Sequence, residues 1–317
     1  RSSLWRVAQI AIAAVVLAFI AWSLVGNWRD FRKQPLNVQL TWSYIAASGV
    51  VVLGTYALLI EVWRRILAAW SARMSFADAT RIWCVSNLGK YVPGKVWQIA
   101  AMGKLAHDIQ VPAAAAAGSA VLNTVVNIGV GFAVGVIAGF RALDRMSRGH
   151  ATIGVAITVV VICGVLLLPT LLPRVTAIGE RLTGKSLDLG TLPRRAVYIA
   201  IVGNIAAWIL YGWSFQLLVH GVLGHASGTL SNYVAAYALS YVMGYLVFFL
   251  PGGIGARESV QTAALTVMQL ATKPEAALIS VSSRLWLTVL EVLPGLFYLA
   301  RGTRLRPDAT SRDGTIP

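Results

Sequence analysis

Apolar segments long enough to cross a membrane recur from one end of the chain to the other. Each has the ~20 residues that a helix needs to cover ~30 Å of hydrocarbon. The uninterrupted segments fall at roughly 4–25, 42–63, 113–140, 151–172, 197–222 and 277–300. Only 12% of the 317 residues are charged, which is about half the fraction typical of soluble domains. The sequence therefore predicts an all-α polytopic membrane protein.

Two further apolar units, at roughly 76–107 and 230–271, are interrupted by Pro93-Gly94 and by Pro251-Gly252-Gly253. Proline removes a backbone donor and glycine lets the backbone turn. Hydrocarbon tolerates the freed backbone groups only inside protein or beside water. We interpret each unit as a broken, re-entrant helical hairpin with a buried tip. The alternative is a pair of short full spans, and in either case the chain returns to the side from which it came.

The order of these units repeats along the chain. Residues 4–140 and residues 151–300 each read span, span, hairpin, span. Each half makes three net crossings, so the second half is upside down relative to the first. Such an inverted repeat, with broken helices at equivalent positions, is typical of transporters. We predict one transmembrane domain over residues 1–302 and a short polar tail at 303–317.

The formal net charge of +15 is concentrated in short loops between the apolar segments. Loop lysines and arginines are the usual orientation signal of membrane proteins, so this charge does not indicate nucleic acid as a partner. With the N terminus inside, the cytoplasmic loops receive about twice as many of these residues as the outer loops. We therefore predict a multi-pass protein of the cytoplasmic (inner) membrane with both termini in the cytoplasm.

Charged side chains accompany both Pro-Gly breaks: Lys90 and Lys95 at the first, Arg257 and Glu258 at the second. A helix is predicted to begin after each break, and its free N–H groups and dipole favour an anion such as phosphate. Charges at membrane depth cost roughly 2.5–3.5 kcal/mol each. We predict that Lys95 and Arg257 hold a lipid phosphate. The alternatives are snorkelling of the two lysines to the interface and a structural ion pair of Arg257 and Glu258 with other helices.

The last span carries Arg284 and Glu291, which are seven residues apart and so share one helical face. Either could meet the second hairpin, as an Arg284–Glu258 pair or an Arg257–Glu291 pair. These residues would gate the site or couple it to protons. A buried ion pair that only fixes the packing is an equally open interpretation.

Other polar and small residues of the spans indicate packing. We predict interhelical hydrogen bonds for Asn123 and Asn127, and an interfacial salt bridge of Glu61 with Arg64 and Arg65. Glycines at four-residue spacing in the 113–140 span form a ridge that lets another helix approach closely: Gly131, Gly135 and Gly139.

No catalytic or metal-binding pattern occurs in the sequence. There is no G-x-S-x-G elbow, no phosphate-cradling P-loop and no carboxylate pair in an aqueous domain. The two cysteines and four histidines lack metal-ligand spacing. We predict a protein that is not an enzyme and that carries neither a metal nor a cofactor.

The two hairpin tips resemble the motifs of a known family. Residues 90–97 read KYVPGKVW, which is similar to K-Y-[ILV]-P-G-x-x-W, and residues 251–258 read PGGIGARE, which is similar to P-G-G-[LI]-G-x-R-E. These are motifs of the flippase-like, lysylphosphatidylglycerol synthase transmembrane family, which includes the membrane region of the multiple peptide resistance factors. The resemblance covers nearly the whole chain. The matching residues are Lys90, Pro93, Gly94, Lys95, Pro251, Gly252, Gly253, Arg257 and Glu258.

The resemblance implies translocation of a lipid with an anionic head group, such as a phospholipid, an aminoacylated phosphatidylglycerol or a polyprenyl-phosphate-linked sugar. An aminoacyl-transferring domain follows this region in larger family members. We expect no such domain here. The resemblance therefore does not imply lipid synthesis, and it does not identify a lysyl-lipid as the cargo. Membrane lipids are the predicted partners, and a homo-oligomer and a separate lipid-modifying enzyme stay open.

Three rival functions stay open at the level of the sequence. The first is a membrane-embedded transferase acting on a lipid-linked substrate. The second is a secondary transporter of a small anion, and the third is a structural or assembly subunit.

Overall fold

The computed structural model describes residues 38–70, 72–91, 96–146, 148–183, 193–247, 253 and 255–301. These residues form nine α-helices and one short 3-10 helix, with no strand among them. The helices are α1 (Trp42–Ala69), α2 (Phe76–Asn87), the 3-10 helix (Leu88–Tyr91), α3 (Val96–His107), α4 (Ala113–Met146), α5 (Arg148–Thr183), α6 (Arg194–Leu223), α7 (Leu230–Leu246), α8 (Ala256–Val267) and α9 (Lys273–Ala300).

Four of the described helices are long and apolar enough to cross a membrane: Trp42–Ala69, Ala113–Ala142, Arg194–Leu223 and Lys273–Ala300. They confirm the second, third, fifth and last predicted spans. The first predicted span, 4–25, lies outside the described residues. The fourth, 151–172, lies within α5, where most of the long apolar side chains described between 152 and 168 are exposed, for example Ile153 and Val160. The all-helical, polytopic fold class is confirmed.

Polar caps set several helix ends. The Ser75 hydroxyl accepts the Asp78 N–H at 3.1 Å at the start of α2. At the start of α9 the Thr272 N–H donates to the Glu275 carboxylate at 2.9 Å. Such caps satisfy backbone groups that a helix leaves unpaired. Helix α6 ends at Gly224, whose φ of 75° suits glycine because it has no Cβ.

Both interrupted units are helical on either side of their Pro-Gly residues, which lie outside the described part of the chain. In the first, the 3-10 helix ends at Tyr91 and α3 starts at Val96; in the second, α7 ends at Leu246 and α8 starts at Ala256. Helices α2 and α3 pack against each other, as do α7 and α8. Helices α2, α3 and α8 have 12 residues each, which corresponds to about 18 Å.

Packing between the halves is reciprocal. Helix α1 lies along α6, with a hydrogen bond of 2.9 Å between the Ser48 and Ser214 hydroxyls. Helix α4 packs on α7 of the second hairpin, and α9 packs on α2 of the first. Both contacts use glycine: a Cβ on Gly135 would lie 2.9 Å from Leu239, and one on Gly295 would lie 2.8 Å from the Cys84 carbonyl oxygen.

The predicted glycine ridge and polar contacts within the spans are confirmed. The ridge on α4 faces other helices closely, since Gly131 contacts Trp208, Gly135 contacts Leu239 and Gly139 contacts Ala235. Asn204 on α6 joins the two α4 amides, accepting from Asn127 at 2.5 Å and donating to Asn123 at 3.0 Å. Glu61 pairs with both Arg64 and Arg65 at 2.7 Å.

Candidate functional site

The two hairpins and α9 enclose one cavity, which we call the cationic cavity. Its empty volume, including the part open to the outside, is about 650 Å³. The first hairpin contributes Lys90, Tyr91 and Gln98; the second contributes Tyr241, Gly244, Tyr245 and Arg257; α9 contributes Arg284, Leu287, Thr288 and Glu291. Residues from both halves of the chain therefore face one space.

The first hairpin's cation is neutralised inside the cavity. The Lys90 ammonium forms an ion pair with Glu291 of α9, with the two side chains 26% and 15% exposed. The Tyr91 hydroxyl donates to the same carboxylate at 2.8 Å. Because a charge-assisted hydrogen bond is stronger than a neutral one, these contacts tie the end of the 3-10 helix to α9.

The second hairpin's cation is not neutralised in this way. Arg257 lies in the first turn of α8 and is only 5% exposed. Its Nε and Nη2 atoms have no hydrogen-bond partner among the described residues. Its guanidinium carbon lies 5.0 Å from the ring centre of Tyr237 and 5.1 Å from that of Tyr241. Two aromatic faces thus hold the cation, while donors that could bind an anion stay unused.

Arg284 and Glu258 form the predicted pair, with 3.7 Å between the arginine Nε and the carboxylate. The other Glu258 oxygen accepts the Gly255 N–H at 2.7 Å. Glu258 therefore caps the N terminus of α8, where a negative charge is also favoured by the helix dipole. This carboxylate fixes the start of the helix that carries Arg257 and lies against Arg284.

Glycine permits the close approach that puts Arg257 in the cavity wall. A Cβ on Gly244 of α7 would lie 2.8 Å from the Arg257 Cβ. Gly253 has a φ of 71°, a left-handed conformation that disfavours other residues. A Cβ on Gly253 would overlap the backbone of Gly244. Both positions thus let the chain after the second tip return directly against α7.

The formal charges of the described site residues leave an excess of one positive charge. Lys90, Arg257 and Arg284 are the cations, and Glu258 and Glu291 are the carboxylates. The arrangement can therefore bind an anion, since two of the cations have carboxylate partners and Arg257 retains free donors. Within the described ranges no group of three or more His, Cys, Asp or Glu side chains could hold a metal ion.

The structure brings together most of the predicted site residues that it describes. Lys90, Arg257, Arg284 and Glu291 line the cationic cavity, with Glu258 against Arg284 and Gly253 against α7. Of the two pairs considered for α9, Arg284 does meet Glu258, whereas Glu291 meets Lys90. The remaining predicted site residues lie outside the described part of the chain: Pro93, Gly94, Lys95, Pro251 and Gly252.

Sequence reasoning missed the tyrosines of α7. Tyr233, Tyr237, Tyr241 and Tyr245 recur at four-residue spacing, which places them along one helical face. Tyr237 and Tyr241 hold the Arg257 guanidinium, and Tyr241 and Tyr245 line the cationic cavity. The regular spacing was the signal that could have found them.

Comparison with known proteins gives one family. No curated protein matches the chain. The family model described as lysylphosphatidylglycerol synthase TM region matches residues 6–295, a range that includes every described residue lining the cationic cavity. The chain therefore belongs to the lysylphosphatidylglycerol synthase TM region family.

Proposed function

We propose that the protein is a flippase that moves a lipid with an anionic head group across the cytoplasmic membrane. Membership of the family supports a membrane lipid-related function. The observation that carries the proposal is Arg257, a buried cation with unused donors in a cavity formed by both halves. A buried charge with unsatisfied hydrogen-bond donors is destabilising, so a lipid phosphate would complement Arg257.

The architecture supports two halves that exchange roles. If the two halves are equivalent, α1 corresponds to α6, α2 to α7 and α4 to α9. The α4–α7 contact then corresponds to the α9–α2 contact, and the α1–α6 contact corresponds to itself. This reciprocity fits an inverted repeat. Helices of about 18 Å are shorter than the ~30 Å hydrocarbon core, which favours re-entrant hairpins with tips near the membrane centre.

In the proposed cycle the phosphate leaves water for the cationic cavity while the lipid tails stay in the bilayer. Arg257 binds the phosphate oxygens, and Lys95 joins it from the first tip. Rocking of one half against the other then opens the cavity to the opposite side. The Lys90–Glu291 pair links the first hairpin to α9 and so controls this movement. No covalent bond forms or breaks.

The test is leaflet exchange in liposomes with acyl-labelled phosphatidylglycerol and an impermeant quencher. We expect exchange well above that of protein-free liposomes. Arg257→Gln removes a charged partner of the phosphate, an interaction worth about 2 kcal/mol or more, so exchange should slow at least ~30-fold. Lys95→Ala should slow it as well. Arg301→Gln is the matched control, because Arg301 is exposed at the end of α9, and it should exchange at the wild-type rate.

Other outcomes would assign the site to a rival function. Wild-type exchange rates for both Arg257→Gln and Lys95→Ala would show that the proposed phosphate site is wrong. A new lipid product in detergent would indicate a transferase. Uptake of a water-soluble anion without lipid exchange would indicate a secondary transporter.

A further inference from the structure

A second cavity adjoins the cationic cavity, and we call it the amide–aromatic cavity. Its empty volume, including the open part, is about 780 Å³. The two cavities share Lys90, Gln98, Tyr241, Tyr245 and Glu291 as lining residues. Six further lining residues give the second cavity its chemistry: Tyr56, Trp83, Asn123, Asn127, Trp208 and Tyr211.

Aromatic rings connect the two cavities without a break. Tyr241 lines both cavities, and its ring centre lies 5.1 Å from the Arg257 guanidinium carbon and 5.3 Å from the ring centre of Trp208. The Trp208 ring centre lies 6.0 Å from that of Tyr211. Tyr211 in turn meets Tyr56 edge-on at 6.3 Å. A ligand with its phosphate at Arg257 would therefore meet a wall of aromatic rings on its way into the second cavity.

The amides of the second cavity are held in fixed positions. Asn204 bridges Asn123 and Asn127, and the Gln98 side-chain amide donates to the Asn87 side-chain oxygen Oδ1 at 2.5 Å. Fixed polar groups on an otherwise apolar wall orient a ligand and select it. Because these hydrogen bonds hold the amides before a ligand arrives, binding requires little ordering of side chains.

Two buried donors in this cavity have no partner among the described residues. They are the Tyr56 hydroxyl and the Trp83 indole N–H. Buried tyrosine and tryptophan donors are normally hydrogen-bonded. Both residues line the same cavity, so we expect a ligand with hydroxyl groups in this cavity to satisfy both donors.

Among the described residues the second cavity offers no free charge. Its charged lining residues there are Lys90 and Glu291, and these neutralise each other. An aminoacyl head group would bring an ammonium group with no spare carboxylate to receive it and with Arg257 and Arg284 nearby. Like charges in a buried site disfavour binding.

We propose that the amide–aromatic cavity takes a neutral, polyhydroxylated ring joined to the lipid phosphate, and that it discriminates against aminoacyl head groups. The inference rests on the proposed function, because it assumes that the phosphate lies at Arg257. The aromatic rings pack against the apolar faces of the ring, and the amides with Tyr56 and Trp83 bind its hydroxyl groups. The ligand's tail could be diacylglycerol, as in phosphatidylinositol, or a prenol, as in prenyl-phosphoryl-glucose.

The experiment measures lipid binding to the protein in nanodiscs, which does not require translocation. Phosphatidylinositol is compared with phosphatidylglycerol of the same acyl chains and charge. Prenyl-phosphoryl-glucose is compared with the methyl phosphodiester of the same prenol. Lysyl-phosphatidylglycerol is the aminoacyl probe. Two or more additional hydrogen bonds should make the ring-bearing lipids bind roughly 10-fold more tightly than their comparators, and lysyl-phosphatidylglycerol should bind more weakly than phosphatidylglycerol.

A matched pair of double variants tests the assignment to this cavity. Tyr56→Phe with Trp83→Phe removes both unused donors, so the preference for ring-bearing lipids should fall to roughly threefold or less while the comparators bind unchanged. Tyr233→Phe with Trp70→Phe removes the same two groups elsewhere, because the Tyr233 hydroxyl donates to the Ser227 carbonyl oxygen and neither residue lines a cavity described above. That control should keep the preference. Size-exclusion profiles show whether each variant is folded.

The outcomes separate this inference from the proposed function. Equal binding of all head groups, tighter binding of lysyl-phosphatidylglycerol, or an unchanged preference in a folded Tyr56/Trp83 variant would overturn the inference. Lipid exchange in liposomes without head-group preference would leave the flippase proposal intact. Selective binding of ring-bearing lipids without any leaflet exchange would support the inference and overturn the flippase.

Discussion

The first and second hairpins each place one cation in the same cavity, but the two cations have different surroundings. Lys90 of the first hairpin has a carboxylate partner in Glu291, which also accepts from Tyr91. Arg257 of the second hairpin lies between two tyrosine rings, and two of its nitrogens have no hydrogen-bond partner among the described residues. Two cations that line the same cavity therefore have different electrostatic surroundings.

This difference separates a structural role from a binding role. An ion pair that is already satisfied stabilises one arrangement of helices and has little left for a ligand. Arg257 lies against two aromatic faces and keeps two nitrogens for an anion, because cation–π contacts use the face of the guanidinium group and leave N–H groups at its edge available. We expect changes at Lys90 and Glu291 to affect stability first, and changes at Arg257 to affect lipid exchange first.

The largest expected effect on stability comes from Glu291→Gln. It leaves the Lys90 ammonium buried without a charged partner, which costs about 3–5 kcal/mol in the free energy of unfolding. Arg257→Gln should change that free energy by less than about 1 kcal/mol. It removes the cost of burying the charge, and this gain offsets the loss of the cation–π contacts. Reversible unfolding in mixed micelles measures both. Equal losses in the two variants would remove the distinction between the hairpins.

The double variant Lys90→Met with Glu291→Gln serves as the control. It removes both charges at once, and replacement of a buried ion pair by uncharged groups is often near neutral. We expect it to recover most of the stability that Glu291→Gln loses. A double variant as unstable as the single one would show that Lys90 does more than neutralise Glu291.

The next effect concerns the glycine contacts that close each hairpin. A Cβ on Gly244 would lie 2.8 Å from the Arg257 Cβ, and one on Gly89 would lie 2.8 Å from the Gln98 backbone nitrogen. Alanine at either position should therefore destabilise the protein by about 1–3 kcal/mol, with Gly244→Ala also slowing lipid exchange. Gly54→Ala is the matched control, because nothing lies within 4 Å of its Cβ. Unfolding midpoints of all three variants check this ranking.

A smaller effect should follow from loss of one aromatic face beside Arg257. Tyr241→Leu keeps an apolar side chain but removes the ring at 5.1 Å from the guanidinium carbon. Cation–π contacts contribute about 0.5–2 kcal/mol, so phosphatidylglycerol should bind about 2- to 30-fold more weakly in nanodisc titrations. Tyr233→Phe is the control. Tyr233 packs against Phe215 in the hydrophobic core between α6 and α7, and the substitution keeps the aromatic ring, so this variant should bind the lipid as the wild type does.

The smallest effect should come from Glu61→Gln at the end of α1. Like Glu291, Glu61 forms close ion pairs, with 2.7 Å to each of two arginines. Its partners Arg64 and Arg65, however, have side chains that are 37% and 64% exposed. Exposed ion pairs contribute about 0–1 kcal/mol, so the free energy of unfolding should hardly change. A loss comparable to that of Glu291→Gln would contradict the view that burial makes the Lys90 pair important.

The sequence predicted those parts of the fold that depend on neighbours along the chain. Four spans appeared at the predicted places because ~30 Å of hydrocarbon requires ~20 apolar residues in succession. The separate helices on either side of each Pro-Gly sequence were also predicted, because Pro and Gly are expected to interrupt a helix locally. The contacts of Asn123 and Asn127 were also predicted, since an amide inside an apolar span has few partners other than a polar group on another helix.

What the sequence determined by itself was a helical membrane protein with two broken units and a set of charges beside the breaks. Only the tertiary structure decided which charges meet: it joined Tyr91 to Glu291, 200 residues apart, and left Arg257 among tyrosines. The physical reason is one of range. Hydrophobicity and backbone propensity act over a few residues, whereas ion pairs and cavities depend on how helices distant in sequence pack, to within a few ångströms.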